Sequence, residues 1–228
     1  MEFNGKTIIV LGGSGVLGST LVRKLASEGA RVWATARTPD SANQIPAEAT
    51  LKLIVDLSEE SSIKALVDYL LERNEPIHGI INAAGLVGFG KAQETELAGS
   101  RQIMQVNNLG PSALISGLHP LLVLDKETPG FVASITGVVA EKVFPGMSAY
   151  TASKMAHSAF LSSIAMEWRR DKIQVTEARP GHTETGLSTR AVFGVAPAFP
   201  EGMTAEHVVE VLLTGIREGK ALIPSTDF

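Results

Sequence analysis

Tyr150 and Lys154 stand four residues apart in the stretch Tyr150-Thr151-Ala152-Ser153-Lys154. In a helix, side chains at i and i+4 share one face. An ammonium beside a phenol favours the phenolate and draws down a pKa that is about 10 when unperturbed. Such a pair makes a proton donor usable near neutral pH. The same spacing also occurs on many solvated surface helices, so other residues have to decide between the two readings.

A second group of residues suits a phosphate. Gly12-Gly13-Ser14-Gly15-Val16-Leu17-Gly18 follows a short apolar run and opens a helical pattern. Gly13, Gly15 and Gly18 read as G-x-G-x-x-G, while Gly12, Gly15 and Gly18 read as G-x-x-G-x-x-G. In either reading the glycines allow a tight turn, a close backbone approach to a pyrophosphate and close packing of helix on strand, with the phosphate at the helix N-terminus. A dinucleotide site is therefore expected. Arg37, in Ala36-Arg37-Thr38 after the next apolar run, stands where an acidic residue would receive ribose hydroxyls. An arginine there suits a 2'-phosphate, which favours NADP, with NAD possible. Asp56, followed by Leu57, is placed to accept from an adenine amino group, or else to start the next helix beside Ser58.

Positioning these residues requires strands that end at them and helices that begin there. Short apolar runs predict strands near 7–11, 31–36, 51–55, 77–82, 130–135, 173–178 and 221–223. Longer amphipathic stretches predict helices near 16–28, 59–73, 96–124, 149–170 and 205–218. Strands alternating with helices imply a parallel sheet covered on both faces.

Composition narrows the functional classes. The 228 residues suit one α/β domain, residues 1–228, because no Pro/Ser-rich or long polar run divides them. The net charge of -4 and the scattered basic residues argue against a nucleic-acid footprint. The absence of cysteine excludes disulfides and thiolate chemistry. No residue cluster has the donors of a metal site: His182 and Glu184 fall short of a ligand set and read as loop polarity. No apolar run approaches the ~20 residues of a bilayer span, and the first residues do not read as a secretory leader. A cytoplasmic protein without a membrane partner is expected.

Taken together in chain order, these residues resemble the short-chain dehydrogenase/reductase family over essentially the whole length. The likeness rests on the glycine turn, Asp56, Asn82-Ala83-Ala84-Gly85, Asn107 in Val106-Asn107-Asn108-Leu109-Gly110, Tyr150 with Lys154, and Pro180-Gly181 with Thr185. The resemblance implies a Rossmann-type, doubly wound, mainly parallel seven-stranded sheet with helices on both faces. It also implies hydride transfer between a nicotinamide and a carbonyl or alcohol carbon. Tyr150 would then be the general acid or base, and Lys154 the contact to the nicotinamide ribose that lowers the tyrosine pKa. Asn107 would support a water in the proton relay. Asn82, Ala83, Ala84 and Gly85 would border the cofactor, and Pro180, Gly181, Thr183 and Thr185 would meet the carboxamide, with Thr185 the principal contact.

Two features depart from the family pattern. The serine that normally stands thirteen positions before the tyrosine is replaced by Gly137. Thr136, one step off register, is the expected substitute donor to the substrate oxygen, with Ser134 facing elsewhere. The stretch from Thr185 to Pro200 is also shorter than the usual substrate lid, which leaves the pocket open or completed by another subunit. The family's assembly suggests a homodimer or homotetramer through 96–124 and 149–170, although Ala156, Phe160, Ile164 and Trp168 fit an internal core equally well. The expectation is an NADP(H)-dependent enzyme acting on a small carbonyl or alcohol substrate. The alternative is an NADP-binding sensor that has lost turnover, for which Gly137 is the support.

Overall fold

The computed structural model describes residues 1–125, 127–128 and 130–228. Seven strands form one sheet: β1 (Thr7–Leu11), β2 (Arg31–Ala36), β3 (Leu51–Ile54), β4 (Gly79–Asn82), β5 (Phe131–Ile135), β6 (Gln174–Ala178) and β7 (Leu222–Ile223). Their order is β3-β2-β1-β4-β5-β6-β7, and every neighbouring pair is parallel. The doubly wound arrangement expected from the sequence is present, and its sheet is wholly parallel rather than mainly so. The order reverses between β1 and β4, where an open α/β sheet leaves a crevice at the carboxyl ends of its strands.

The central strands β1, β4 and β5 are buried along their whole length because both faces of the sheet are covered there, whereas the edge strands β3 and β7 keep exposed positions and β6 carries Glu177. Alternation then sends successive residues of β1 to opposite cores. Ile8 and Val10 join Leu21, Val22 and Leu25 of α1 (Val16–Ser27) and Val209, Leu212 and Ile216 of α8 (Ala205–Arg217). Ile9 and Leu11 join the other side, with Ile63, Leu66 and Leu70 of α3 (Glu60–Arg73). Leu161 and Ile164 of α7 (Ser148–Glu167) complete that second core, with Phe160 and Trp168 packed against it. Much of the apolar stripe on this helix is therefore used internally.

Two helices differ from their sequence reading, and each has a local cause. The long helix expected over 96–124 is divided into α4 (Leu97–Met104), a π turn (Gln105–Leu109), α5 (Gly110–Gly117) and α6 (His119–Leu122). Pro111 has no N–H to give the carbonyl four residues back, so the regular ladder cannot continue through Asn107. Gly110 also lies so close to the Leu57 carbonyl that a Cβ would fall 2.2 Å from its oxygen. The helix expected over 149–170 ends its regular part at Glu167 and tightens into a 3-10 turn, Trp168–Asp171. A short α2 (Pro39–Ala42), unread in the sequence, begins with a capping box between Thr38 and Ser41. Among the described residues, no helix is long and apolar enough to cross a membrane.

Candidate active site

The expected site residues sit at the carboxyl end of a strand, in the connection after it or on a following helix. The glycine turn joins β1 to α1. Gly12 has φ of +79°, a conformation that L side chains rarely adopt, and it donates its N–H to Thr35 Oγ1 at 3.1 Å. A Cβ on Gly13 would meet the Ala34 Cβ at 2.7 Å, and one on Gly18 would lie 2.1 Å from the Gly12 oxygen. These two glycines thus set how closely the turn packs on β2 and on the start of α1. Gly15 is different: its added Cβ would meet nothing nearer than the Gly12 oxygen at 3.4 Å. It is the N-cap of α1 and supplies no side-chain cap, and the first turn holds no acidic residue. The N–H groups of Val16, Leu17 and Gly18 have no acceptor within the helix and sit at its positive end. Ser14 lies between Gly13 and this open N-terminus. The turn therefore fits a phosphate group by its own geometry.

Arg37 is exposed directly past β2. Asp56, after β3, accepts from the Ser58 N–H at 2.9 Å and the Ser58 hydroxyl at 2.6 Å, both through Oδ1. The local helix-start role weighed for Asp56 is thus present, although regular helix begins only after Glu59. Leu57 is buried and turns its carbonyl toward Gly110.

The turn after β4 is held by Asn82, which is buried and accepts from the Ala84 N–H at 3.1 Å. Ala83 and Ala84 pass beside Gly12, where an added Cβ would lie 3.0 Å from Ala84 Cα. Gly85 then stands beside both expected catalytic partners: its added Cβ would lie 3.3 Å from Lys154 Nζ and 3.4 Å from Asn107 Oδ1. Asn107 itself is fully buried in the π turn. Its oxygen accepts from Leu86 N at 2.7 Å, while its amide donates to Leu86 O at 2.8 Å and to Ser153 Oγ at 2.9 Å. Ser153 in turn donates to the Tyr150 carbonyl at 2.7 Å. Asn107 is thereby tied through one hydroxyl to the turn of α7 that carries Tyr150.

Tyr150 and Lys154 lie one helical turn apart, as their spacing required, with Lys154 Nζ 6.0 Å from the centre of the tyrosine ring. The ammonium is almost wholly buried and donates to the Ile135 carbonyl at the end of β5, at 3.0 Å. The proton affinities run opposite to the sequence expectation. Tyr150 keeps a partly accessible side chain, yet the surrounding protein pushes its phenol up to about 12. Burial brings Lys154 down to about 8. In this arrangement desolvation outweighs the attraction between cation and phenolate, because Lys154 spends its short contact on a backbone carbonyl.

The Thr136 hydroxyl is turned away from where it was expected. It is buried and donates to Glu177 Oε1 at 2.6 Å, with the Ala178 carbonyl at 3.3 Å. Glu177 is paired with Arg179 at 2.9 Å and accepts from Ser158 at 2.9 Å, so the threonine completes a closed polar cluster. Gly137 holds φ of +87° with no atom nearer to its added Cβ than the Pro180 oxygen at 3.6 Å. That position is open in space, and it presents no hydroxyl.

Pro180 and Gly181 follow β6. Pro180 is buried and accepts from Val138 N at 2.8 Å. Thr183 donates to the Gly181 carbonyl, and the Thr185 hydroxyl accepts from Leu187 N at 3.3 Å. His182 and Glu184 approach each other at 3.3 Å, and His182 stacks on Phe199. The short segment beyond is strapped down: Val192 N donates to Val87 O at 2.9 Å, and Phe89 N donates to Phe193 O at 3.0 Å. The Phe193 ring fills a socket made by two glycines. A Cβ on Gly88 or on Gly99 would meet it at 2.5 Å.

Sequence reasoning passed over His157. It lies seven residues after Tyr150 and three after Lys154, so helical periodicity alone puts it on their face. It is fully buried, and burial together with the Lys154 cation brings its pKa down to about 3.

The model of the family described as short chain dehydrogenase matches residues 6–192. This chain belongs to the short-chain dehydrogenase family. Among its relatives is a dehydrogenase/reductase SDR family protein 7-like from Anopheles gambiae, 32% identical over 87% of this chain and 65% of its own length. Another is dehydrogenase/reductase SDR family member 7B from Xenopus tropicalis, 31% identical over 73% of this chain and 55% of its own length. The chain thus spans between half and two thirds of these relatives. The fold is also that of a short-chain dehydrogenase from Sphingobium yanoikuyae in complex with NADPH, with a TM-score of 0.86 at 23% identity over 96% of this chain and 87% of that one. A short-chain dehydrogenase/reductase from Burkholderia phymatum in complex with NAD gives 0.86 at 19% identity, over 99% and 90%. Membership of this family and these likenesses give the chain the short-chain dehydrogenase fold.

Proposed function

We propose that the chain reduces a carbonyl compound, or oxidises the corresponding alcohol, with NADP(H) as its hydride carrier. The observation that carries the reading is the convergence of Tyr150, Lys154, Asn107 and Gly85 beside a turn built for phosphate. When bound, the nicotinamide supplies or receives the hydride. Gly12 to Gly18 would hold the pyrophosphate through backbone N–H groups. Arg37 would meet a 2'-phosphate, Asp56 and Leu57 the adenine end, Asn82 to Gly85 the middle of the molecule, and Pro180, Gly181, Thr183 and Thr185 the carboxamide. The preference for NADP over NAD rests on Arg37, whose planar fork suits a phosphate.

In this reading Tyr150 gives its proton to the oxygen as negative charge develops there, which lowers the barrier in the general-acid manner. A phenol at about 12 is fully protonated at neutral pH and so is poised as a donor in the reductive direction. Lys154 holds positive charge one helical turn away and fixes its own position on the Ile135 carbonyl. Asn107 keeps the π turn, Leu86 and Ser153 in one arrangement. Thr136 receives no part in the chemistry, because its proton is already given to Glu177.

The reading is tested by following NADPH absorbance with a panel of ketones, aldehydes and quinones. Tyr150→Phe should lower kcat by at least about 10²-fold while NADPH still binds. Turnover unaffected by Tyr150→Phe would overturn the mechanism. Tight NADPH binding without turnover of any carbonyl would favour the sensor, in line with the missing hydroxyl at Gly137.

A further inference from the structure

The imidazole of His157 touches, in one place, groups from three separate parts of the site. Its Nε2 lies 3.4 Å from Asn82 Nδ2 and 3.1 Å from Ser134 Oγ. Asn82 and Ser134 are register partners on adjacent strands, β4 and β5, so the ring sits over the carboxyl end of that pair. Its Nδ1 lies 3.4 Å from Ser112 Oγ on α5, and Ser112 is 3.4 Å from Asn108 Oδ1 in the π turn. The ring itself stacks on Phe160 with 5.6 Å between centroids.

These contacts settle which nitrogen carries the proton. Asn82 uses its oxygen to accept from the Ala84 N–H, so its other end is the NH₂ group, a donor aimed at Nε2. Nε2 is therefore the unprotonated acceptor, and the Ser134 hydroxyl can donate to it as well. The proton lies on Nδ1, facing Ser112, whose own proton goes on to Asn108. A protonated ring would set an N–H against the Asn82 amide hydrogens and add a second cation near Lys154. Burial and that lysine hold it neutral.

We propose that His157 is a positioning residue that locks the Asn82–Gly85 turn, the π turn bearing Asn107 and the helix bearing Tyr150 and Lys154 into one arrangement, through Asn82, Ser134 and Ser112. The linkage through Asn82 is the central one. With its amide held by His157, the Asn82 oxygen stays on Ala84 N, and the turn stays where Gly85 meets Lys154 and Asn107. The kinetic part of this proposal rests on the hydride-transfer reading; the structural part does not.

Three measurements on the full chain test it. First, ¹⁵N spectra of the wild-type ring should place the proton on Nδ1. An Nε2–H tautomer overturns the assignment, because Nε2 could then accept from neither Asn82 nor Ser134. Second, His157→Leu removes both polar ends while keeping an apolar side chain beside Phe160. Hydrogen exchange at the Ala84 amide should accelerate about tenfold or more, as expected when a buried polar group loses its partner. Third, kcat should fall by a similar factor in His157→Leu and largely return in His157→Gln, whose oxygen can reach the same donors. If His157→Leu does not fold, the comparison passes to His157→Gln against His157→Asn, whose amide is too short to reach Asn82; the longer side chain should be the better in both readouts. Wild-type values of Ala84 exchange and kcat in His157→Leu would overturn the proposal, as would a folded His157→Gln no better than His157→Leu. A wild-type protein that turns over no carbonyl overturns the hydride reading instead, and the tautomer and Ala84 exchange then decide the role of His157.

Discussion

Replacing Lys154 by methionine should change how stability depends on pH in a direction that the site's geometry fixes. Lys154 is 4% exposed, and burial lowers its pKa from 10.5 to about 8. In the unfolded chain the lysine regains its ordinary affinity. Between the two values the unfolded chain therefore holds a proton that the folded chain has released, and stability rises with pH across that window. At about pH 7 the buried cation costs ~3 kcal/mol, and at about pH 9.5 ~1.4 kcal/mol, so the wild type gains ~2 kcal/mol over the interval. Methionine removes this dependence and fills a similar volume. It also strands the Ile135 carbonyl, which costs about 1–3 kcal/mol at every pH. The absolute difference at neutral pH is thus a balance of similar quantities, and the pH dependence of the difference is the diagnostic. Urea unfolding of both proteins at the two pH values measures it. The variant's stability relative to wild type should fall by about 2 kcal/mol on going from the lower to the higher pH. A difference that stays constant would refute the claim that Lys154 is a desolvated cation. Tyr150 does not interfere below about pH 9.5: its raised pKa contributes stability that is present below its unfolded value and lost as pH rises through about 12.

Other positions give equally direct outcomes. Thr136→Val, which keeps the shape and deletes the proton given to Glu177, should lower stability by about 1–2 kcal/mol in urea unfolding and leave kcat within about twofold of wild type. A fall in kcat of about 10²-fold would return Thr136 to the substrate oxygen. Arg37→Glu should weaken NADPH binding and shift the ratio of kcat/KM toward NADH, since it sets a carboxylate where a 2'-phosphate would lie and offers ribose hydroxyls an acceptor. An unchanged ratio would remove Arg37 from the cofactor site. Gly18→Ala should abolish cofactor binding or folding, because its Cβ would stand 2.1 Å from the Gly12 carbonyl oxygen, and backbone cannot give way there as a flexible side chain can. Fluorescence titration with NADPH and a thermal melt would separate the two effects.

Much of the fold was legible because its signals are local. The central strands β1, β4 and β5 are short, mostly apolar runs bounded by polar or glycine-rich turns, and burial on both faces removes the alternation that would otherwise complicate the reading. The helix over 96–124 was less legible, since Pro111 and Gly110 act through a ladder position and a contact with Leu57 on a distant segment. Among the candidate site residues, Tyr150, Lys154 and Asn107 were picked out by type and order. His157 did not, although its place on the same helical face was available from periodicity. A lone histidine in an apolar stretch most often reads as a core residue, and its partners Asn82, Ser134 and Ser112 lie 75, 23 and 45 residues away.

By itself the sequence determined what depends on neighbours along the chain: the glycine turn with its backbone freedom, the alternation of strand and helix, and the shared face of Tyr150 and Lys154. The tertiary structure decided what depends on partners far along the chain. It sends the Thr136 hydroxyl to Glu177 rather than into the site, because a buried carboxylate 41 residues away is the stronger acceptor. It gives the Lys154 proton to Ile135 and makes desolvation, rather than the nearby cation, set the affinity of Tyr150. Spacing fixes which face a side chain occupies; its rotamer, its partner and its proton are fixed by whatever the fold brings to that face.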